Sequence, residues 1–175
     1  MIVAHGIYKS ENDRYASYID IQAYNSNTGK WDHNVISNGK QLDDFLSANS
    51  QTWNDDKSGN ISADDLHIVF YAYGSSHVVQ EISKDTSFKD VTFIAPDKKL
   101  QRLQERNGSW ITTVEDTKWK KSEDGNTIIP VDGRRHWGDW QTYKNGKVPI
   151  MPSTYSGKKG LLPGTKGFDY RWAWF

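Results

Sequence analysis

Five residues able to carry proton transfer or hydroxyl chemistry follow two apolar segments of the chain. A histidine follows residues 2–4, and a tyrosine, two serines and a second histidine lie just after residues 67–72. An imidazole has a pKa of about 6.5, which suits a general base near neutrality. A serine hydroxyl or an activated water molecule would then be the nucleophile. The candidate catalytic residues are His5, Tyr73, Ser75, Ser76 and His77.

The segments around these residues predict the elements that would position them. Residues 67–72 form an almost unbroken apolar run, typical of a strand covered on both faces, and residues 91–95 form another. Between them, apolar residues recur at helical spacing over residues 76–84. Ser75 or Ser76 would be the N-cap of this helix, so a plain helix cap is the alternative to a catalytic role.

This order of elements predicts an α/β fold. A small, mostly parallel central sheet would combine residues 2–4, 67–72 and 91–95, with flanking helices at residues 41–50 and 76–84. In such sheets, ligands gather at the carboxyl ends of the strands. We therefore expect the chemistry to lie just after the second strand.

The second half of the chain has a different character. Asn-Gly at 107–108, Asp-Gly at 124–125 and Asn-Gly at 145–146 are strong hairpin signals. Six of the eight tryptophans follow residue 109, so this half is predicted to be rich in both hairpins and tryptophan.

We expect a single domain of three parts. Residues 1–97 would form the α/β core and residues 98–151 the β-hairpin region. Residues 152–175 would be a Gly- and Lys-rich tail docked on the body by its aromatic side chains. The first apolar segment begins abruptly and without a secretory leader, which favours a domain cut from a longer polypeptide.

Composition excludes several classes of function. The chain has 22 basic and 22 acidic residues and a pI of about 7.0, which argues against a general nucleic-acid surface. It has no cysteine, which excludes disulfides, thiolate metal sites and a cysteine nucleophile. No apolar run approaches the roughly 20 residues that a membrane-spanning helix needs.

The two strand ends resemble those of caspase-like, clostripain-like cysteine peptidases, including the self-processing peptidases of large bacterial toxins. In that family a His-Gly ends one strand and an Ala-Cys ends the next parallel strand. Here IVAHG ends at Gly6 and IVFYAYG ends at Gly74. The resemblance implies a caspase-like topology with His5 facing Tyr73. Because a phenol with a pKa of about 10 replaces the thiol, thiol peptidase chemistry is excluded.

A longer stretch, residues 65–147, resembles the C-terminal variable domains of bacterial polymorphic toxins that follow RHS-repeat shells. The matching segments are VVQEISKDTSFKDVTFIAPDKKLQ, NGSW and GDWQTYKNGK. The resemblance implies an antibacterial effector used in interbacterial competition. The candidate catalytic residues add hydrolysis as a candidate activity. It also implies that the domain is secreted, or delivered into a rival cell as cargo of a toxin shell or secretion apparatus. A cognate immunity protein would neutralise it.

Residues 54–65 (NDDKSGNISADD) follow the spacing of an EF-hand calcium loop. Asn stands in place of the first acid and Asp in place of the last Glu, which would lower the affinity. A polar loop tied by Asx-turns is the alternative. Otherwise the sequence predicts no cofactor. The candidate Ca²⁺ ligands are Asn54, Asp56, Ser58, Asn60 and Asp65.

Residues 132–140 (DGRRHWGDW) concentrate charged and aromatic side chains among glycines. Arginine binds carboxylate or phosphate through two parallel hydrogen bonds, and tryptophan faces stack on sugars or bases. A corner whose arginines pair with its own aspartates is the alternative. Together with an aspartate at the end of the 91–95 strand, the candidate substrate-binding residues are Asp97, Arg134, Arg135, His136, Trp137 and Trp140.

Two further functions fit the same residues. The first is a non-catalytic carbohydrate-binding module that uses exposed tryptophans and the calcium loop. The second is a catalytically inactive peptidase-like scaffold or immunity-binding surface, since Tyr73 blocks the usual chemistry.

Overall fold

The computed structural model describes residues 2–10, 15–63, 66–104 and 108–147. Over these residues the chain is mostly β-strand, with three short helices. The strands are β1 (Ile2–Val3), β2 (His5–Ile7), β3 (Tyr18–Asn25), β4 (Lys30–Ile36), β5 (His67–Tyr71), β6 (Thr92–Pro96), β7 (Leu100–Gln104), β8 (Trp110–Val114), β9 (Trp119–Lys121), β10 (Ile128–Pro130) and β11 (Trp140–Tyr143). The helices are α1 (Gly39–Asn49), α2 (Gln51–Lys57) and α3 (Ser76–Ile82), and a 3-10 turn spans Thr86–Phe88.

The central sheet has four strands in the order β1-β5-β6-β11. β1 and β6 both run parallel to β5, while β11 runs antiparallel to β6. Every residue of β6 is buried. A strand covered on both faces needs apolar side chains on both, which is why this segment reads as a continuous apolar run.

One face of this sheet is covered by the helices. Phe70 and Phe93 point to this side and belong to the same buried cluster as Val79 and Ile82 of α3. The ring of Phe88 meets that of Phe93 edge to face at 5.3 Å between centroids. These contacts bury the apolar side of α3 against the sheet, which stabilises a helix too short to persist alone.

The other face is covered by the β7–β8 hairpin. Val69 of β5 and Ile94 of β6 form a second buried cluster with Leu100, Val114 and Trp140. The central sheet therefore lies between a helical layer and a β layer.

A separate antiparallel sheet has the order β2-β3-β4. Its inner face carries Ile19, Ile21 and Ile36 into the main core. β2 crosses very close to the chain after β5, because a Cβ placed on Gly6 would lie 1.7 Å from the carbonyl oxygen of Tyr73. Only glycine allows this approach, which brings the outer face of this sheet beside the end of β5.

The predicted class, a helix-flanked α/β fold of caspase-like topology, is wrong. The chain is mostly β, and a hairpin covers the sheet face where that fold would place helices. The parallel pairing of residues 2–3 with β5, and of β5 with β6, is present within this different architecture. The apolar runs require covered faces but do not determine whether a helix or a hairpin covers them.

The hairpin signals at 107–108 and 124–125 lie between β7 and β8 and between β9 and β10, which pair antiparallel. The predicted tail, residues 152–175, lies outside the described residues. None of the helices in the described part of the chain has the length and apolar character required to cross a membrane.

Candidate functional site

A groove of about 670 Å³ opens beside the carboxyl end of β5. Its walls come from the β2–β3–β4 sheet and from the β7–β8 hairpin. The residues that line it are Ala4, His5, Gln22, Trp31, Tyr71, Tyr73, Leu100, Arg102 and Thr112.

A buried carboxylate lies beside this groove on β3. Asp20 is 6% exposed, and its Oδ2 lies 2.8 Å from Nδ1 of His33 and accepts a hydrogen bond from Gln22 at 3.0 Å. The His33 side chain is 56% exposed. An ionised carboxylate can only accept, so Nδ1 of His33 carries a proton, and in the neutral form of the ring Nε2 is the basic atom.

A second imidazole flanks the same carboxylate. His5 on β2 is exposed and pairs in register with Asp20 on β3. Residues directly opposite on antiparallel strands project their side chains to the same face. Two histidines from the two neighbouring strands therefore flank Asp20.

The pKa of Asp20 lies below its ordinary value. Burial raises it, but hydrogen bonds from Gln22 and His33 and the charges of His33 and His5 outweigh that effect. Its Oδ1 is buried and accepts no hydrogen bond from the described residues. A buried charge with an unsatisfied oxygen costs stability, and such costs concentrate at functional sites.

The rest of the groove supplies a cation and aromatic surfaces. Arg102 of β7 is exposed and pairs in register with Thr112 of β8. The side chain of Trp31 is 58% exposed and that of Tyr73 is 42% exposed. The groove thus combines an imidazole, a guanidinium and exposed aromatic rings, with the His33–Asp20 pair beside it, which suits a ligand that has both an anionic and a planar part.

The predicted catalytic residues divide between this groove and other places. His5 and Tyr73 both line the groove. Ser75 is fully buried and Ser76 is 3% exposed. His77 lines a different pocket with Lys9 and Glu81. The structure therefore brings together one predicted base and Tyr73, and leaves both serines outside the groove.

Ser76 and His77 make local packing contacts, whereas the buried hydroxyl of Ser75 has no hydrogen-bond partner among the described residues. The hydroxyl of Ser76 hydrogen-bonds Tyr143, whose burial raises its pKa to about 12. The ring of His77 stacks on that of Tyr15 at 5.7 Å between centroids. Ser75 stands at the N-cap position of α3 but makes no side-chain cap hydrogen bond, so neither the predicted cap bond nor a catalytic arrangement of these residues is seen.

Arg135 pairs with an acid instead of extending into a ligand site. Its guanidinium forms two hydrogen bonds with Glu115, which is fully buried and also accepts from Thr113 and Thr117. The Arg135 guanidinium carbon lies 3.7 Å from the ring centroid of Trp137. This network joins the end of β8 to the segment before β11.

The pKa of Glu115 is lowered within this network. Burial raises it, and the hydrogen bonds from Arg135, Thr113 and Thr117 together with the charge of Arg135 outweigh that effect. Arg135 thus forms an ion pair, but with Glu115 and not with an aspartate of its own segment as the predicted alternative had it.

The other predicted substrate-binding residues do not form one site. His136 lies 2.6 Å from a carboxylate oxygen of Asp132 at a pocket of about 320 Å³. Trp140 is 1% exposed and packs in the core. Asp97 accepts a hydrogen bond from the backbone of Asp139 at 2.8 Å. Arg134 is exposed, and its backbone N–H donates to Asp132.

The first residues of the predicted calcium loop are helical. Asn54 and Asp56 lie in α2, and Ser58 is its C-cap. The backbone N–H of Asn60 donates to the carbonyl oxygen of Asp55. Asp65 lies outside the described residues. Within residues 2–10, 15–63, 66–104 and 108–147, no group of three or more histidines and acids is placed to hold a metal ion.

Much of the groove could not be predicted from the sequence. The alternation of residues along β3 did indicate part of the site. Asp20 and Gln22 alternate with the buried isoleucines of β3, so they lie on the outer face of the sheet. His33 and Trp31 follow on the paired strand. No sequence pattern indicated that Arg102, about seventy residues further along, lines the same groove.

No protein-family model matches this sequence, and comparisons with curated proteins and with solved structures found no significant match. The class of this protein is therefore defined by its own fold and groove. It is a mostly β protein whose exposed groove is lined by a histidine and an arginine, with a histidine–aspartate pair beside the groove.

Proposed function

We propose that this protein is a hydrolytic antibacterial effector domain of the RHS-type polymorphic toxins, with the groove as its active site. The hydrolytic part is carried by the hydrogen bond between His33 and Asp20, with His5 in register beside them. The effector role is supported by the resemblance of residues 65–147. In this proposal the domain is delivered into a rival cell and bound there by a cognate immunity protein.

The chemistry of the proposal is general acid–base catalysis. Hydrogen bonding to Asp20 orients the imidazole of His33 and stabilises it when it gains a proton, which is the role of the acid in a histidine–carboxylate pair. His5 is the second proton-transfer group. Arg102 stabilises the negative charge that develops during bond cleavage.

Expression in a bacterial cytoplasm tests this proposal. The full chain is placed under a tightly repressed promoter, and surviving colonies are counted after induction. We expect killing by the wild type and by the control His67→Ala, which changes an exposed histidine of β5 away from the groove lining. His5→Ala and His33→Ala should restore growth, and co-expression of the neighbouring open reading frame should protect the cells.

Two results would reject the proposal. One is normal growth when the wild-type chain accumulates in soluble form. The other is undiminished killing by both groove variants.

A carbohydrate-binding module is the second candidate, favoured by one observation. Trp31 is 58% exposed beside Gln22 in the groove, and an exposed indole next to hydrogen-bonding groups suits a sugar ring. Glycan-array binding that is lost in Trp31→Ala and retained in His5→Ala would favour this function. Loss of that binding on addition of a chelator would support the predicted calcium requirement.

A further inference from the structure

We infer that the groove cleaves single-stranded RNA, using the 2′-hydroxyl of the substrate ribose as the nucleophile. This inference rests on the proposed function and names the substrate class of the same site.

Cleavage at this site requires a nucleophile. The groove offers proton-transfer groups, but the candidate serine nucleophiles, Ser75 and Ser76, are buried elsewhere. The described lining includes no serine, and the chain has no cysteine. The hydroxyls of the lining belong to Thr112, Tyr71 and Tyr73, and none of the hydrogen bonds described above joins them to a histidine that could activate them. A site of this kind suits a substrate that carries its own nucleophile. RNA does so at every nucleotide, because the 2′-hydroxyl lies next to the 3′-phosphate.

Two histidines are placed to transfer protons: His5 lines the groove, and His33 lies beside it, in register with the groove residue Gln22. His33 is oriented by its bond to Asp20, and its Nε2 is left to accept a proton. His5 projects from the neighbouring strand on the other side of the same carboxylate. Phosphoryl transfer from RNA needs one base and one acid, and two imidazoles near neutral pH supply both.

The reaction balances without any co-reactant. One imidazole takes the proton from the 2′-hydroxyl, and the 2′-oxygen forms a bond to phosphorus. The bond from phosphorus to the 5′-oxygen breaks, and the other imidazole, which starts in its protonated form, gives its proton to that leaving oxygen. The products are a 2′,3′-cyclic phosphate and a free 5′-hydroxyl, with no change of oxidation state.

The groove also has side chains that suit the phosphate and the bases of RNA. Arg102 provides a permanent positive charge in the groove, which suits a phosphate, and its guanidinium can also stabilise the phosphorane-like transition state. Trp31 provides a flat exposed surface on which an unpaired base can stack. The neutral net charge of the chain is consistent with recognition through one groove and few phosphates.

Cleavage of matched oligonucleotides by the purified full chain tests the inference. The probes are an end-labelled single-stranded RNA, the same sequence as DNA, and that DNA with a single ribonucleotide. We expect cleavage of the RNA, and cleavage of the chimera only on the 3′ side of its ribonucleotide. The DNA should stay intact, and the new 3′ end should be a 2′,3′-cyclic phosphate.

Single-residue variants test the role of each side chain in RNA cleavage. His5→Ala and His33→Ala should each lower the cleavage rate by about 100-fold or more, while His67→Ala should cleave like the wild type. Trp31→Ala should raise KM with little change in kcat, because stacking holds the substrate in the ground state and the transition state alike. Circular dichroism checks that each variant is folded, and His5→Gln provides a second, more conservative substitution.

Three outcomes would overturn the inference. The first is equal cleavage of DNA and RNA. The second is cleavage that survives in both His5→Ala and His5→Gln. The third is intact RNA from a wild-type chain that still kills cells through His5, which would leave the proposed effector function standing without this substrate.

Discussion

His33 on β4 and Asp20 on β3 are joined by a 2.8 Å contact between Nδ1 and Oδ2, at the outer face of a sheet whose inner face is core. The histidine is more than half exposed, whereas the aspartate is almost fully buried. A buried carboxylate thus holds an imidazole that remains accessible from solvent. This is the arrangement in which a histidine is both oriented and available for proton transfer.

The first prediction concerns Asp20 as a positioning residue. Asp20→Asn removes the charge that stabilises the protonated imidazole of His33. We expect slower catalysis, and a pH–rate profile whose shape differs from that of the wild type. Measuring the rate of RNA cleavage from pH 5 to 9, about the range in which histidines titrate, checks this. An unchanged profile in a folded Asp20→Asn protein would contradict the positioning role.

The same substitution has a consequence for acid stability. The folded-state pKa of Asp20 is lowered, so its contribution to stability is present above the unfolded value of about 3.9 and is lost as the pH falls through the lower folded value. Urea unfolding of the wild type should therefore become easier below about pH 4, and that dependence should be weaker in Asp20→Asn.

The second prediction concerns the ion pair between the buried Glu115 and the partly exposed Arg135. Arg135→Ala leaves the Glu115 carboxylate buried without its cation, which should lower the free energy of unfolding by about 3 kcal/mol. Urea denaturation at neutral pH measures this. The control is Lys40→Ala, because the Lys40–Asp44 pair is exposed and its removal should leave the unfolding midpoint nearly unchanged.

The lowered pKa of Glu115 gives this network a defined pH window. Its stabilisation is present above the unfolded value of about 4.3 and is lost as the pH falls through the lower folded value. The difference in stability between wild type and Arg135→Ala should therefore shrink in acid. A difference that stays constant from neutral pH to strong acid would show that the ion pair is not its source.

The third prediction concerns Gly6, where β2 crosses the chain after β5. Gly6→Ala would place a methyl group 1.7 Å from the carbonyl oxygen of Tyr73, so one of the two segments must move. We expect a loss of about 1–3 kcal/mol, typical of overpacking, and reduced activity because His5 and Tyr73 line the groove on either side of this crossing. Thermal unfolding and the killing assay measure the two effects.

A second glycine provides the control for this substitution. Gly59 has a φ of +75°, and a Cβ there would meet nothing within 4 Å. Gly59→Asn should be nearly neutral, since asparagine tolerates the left-handed region. Equal stability of Gly6→Ala and the wild type would disprove the close crossing.

Local patterns along the chain predicted several of its elements. The apolar runs at residues 67–72 and 91–95 are strands β5 and β6, and the periodic segment beginning at Ser76 is helix α3. These features depend on residues close in sequence, because a strand or helix reveals its buried faces through side-chain spacing alone.

The covering layer of the sheet was not predictable in the same way. Val69 and Ile94 had to be covered, but nothing in their own sequence specified Leu100 and Val114 of a hairpin as the cover. Helices and hairpins both present apolar side chains, so the choice between them belongs to the packing of the whole chain. The helix-flanked prediction failed at this step.

The candidate site, like the fold, was predictable only in part. The sequence by itself determined that His5 follows one strand and that Tyr73 follows another. The parallel pairing of β1 with β5 then brings both residues to one groove. Only the tertiary structure decided that Ser75 is buried, that Asp20 holds His33, and that Arg102 lines the same groove. Burial and long-range proximity arise from how separate sheets pack, and residue order along the chain does not encode that packing locally.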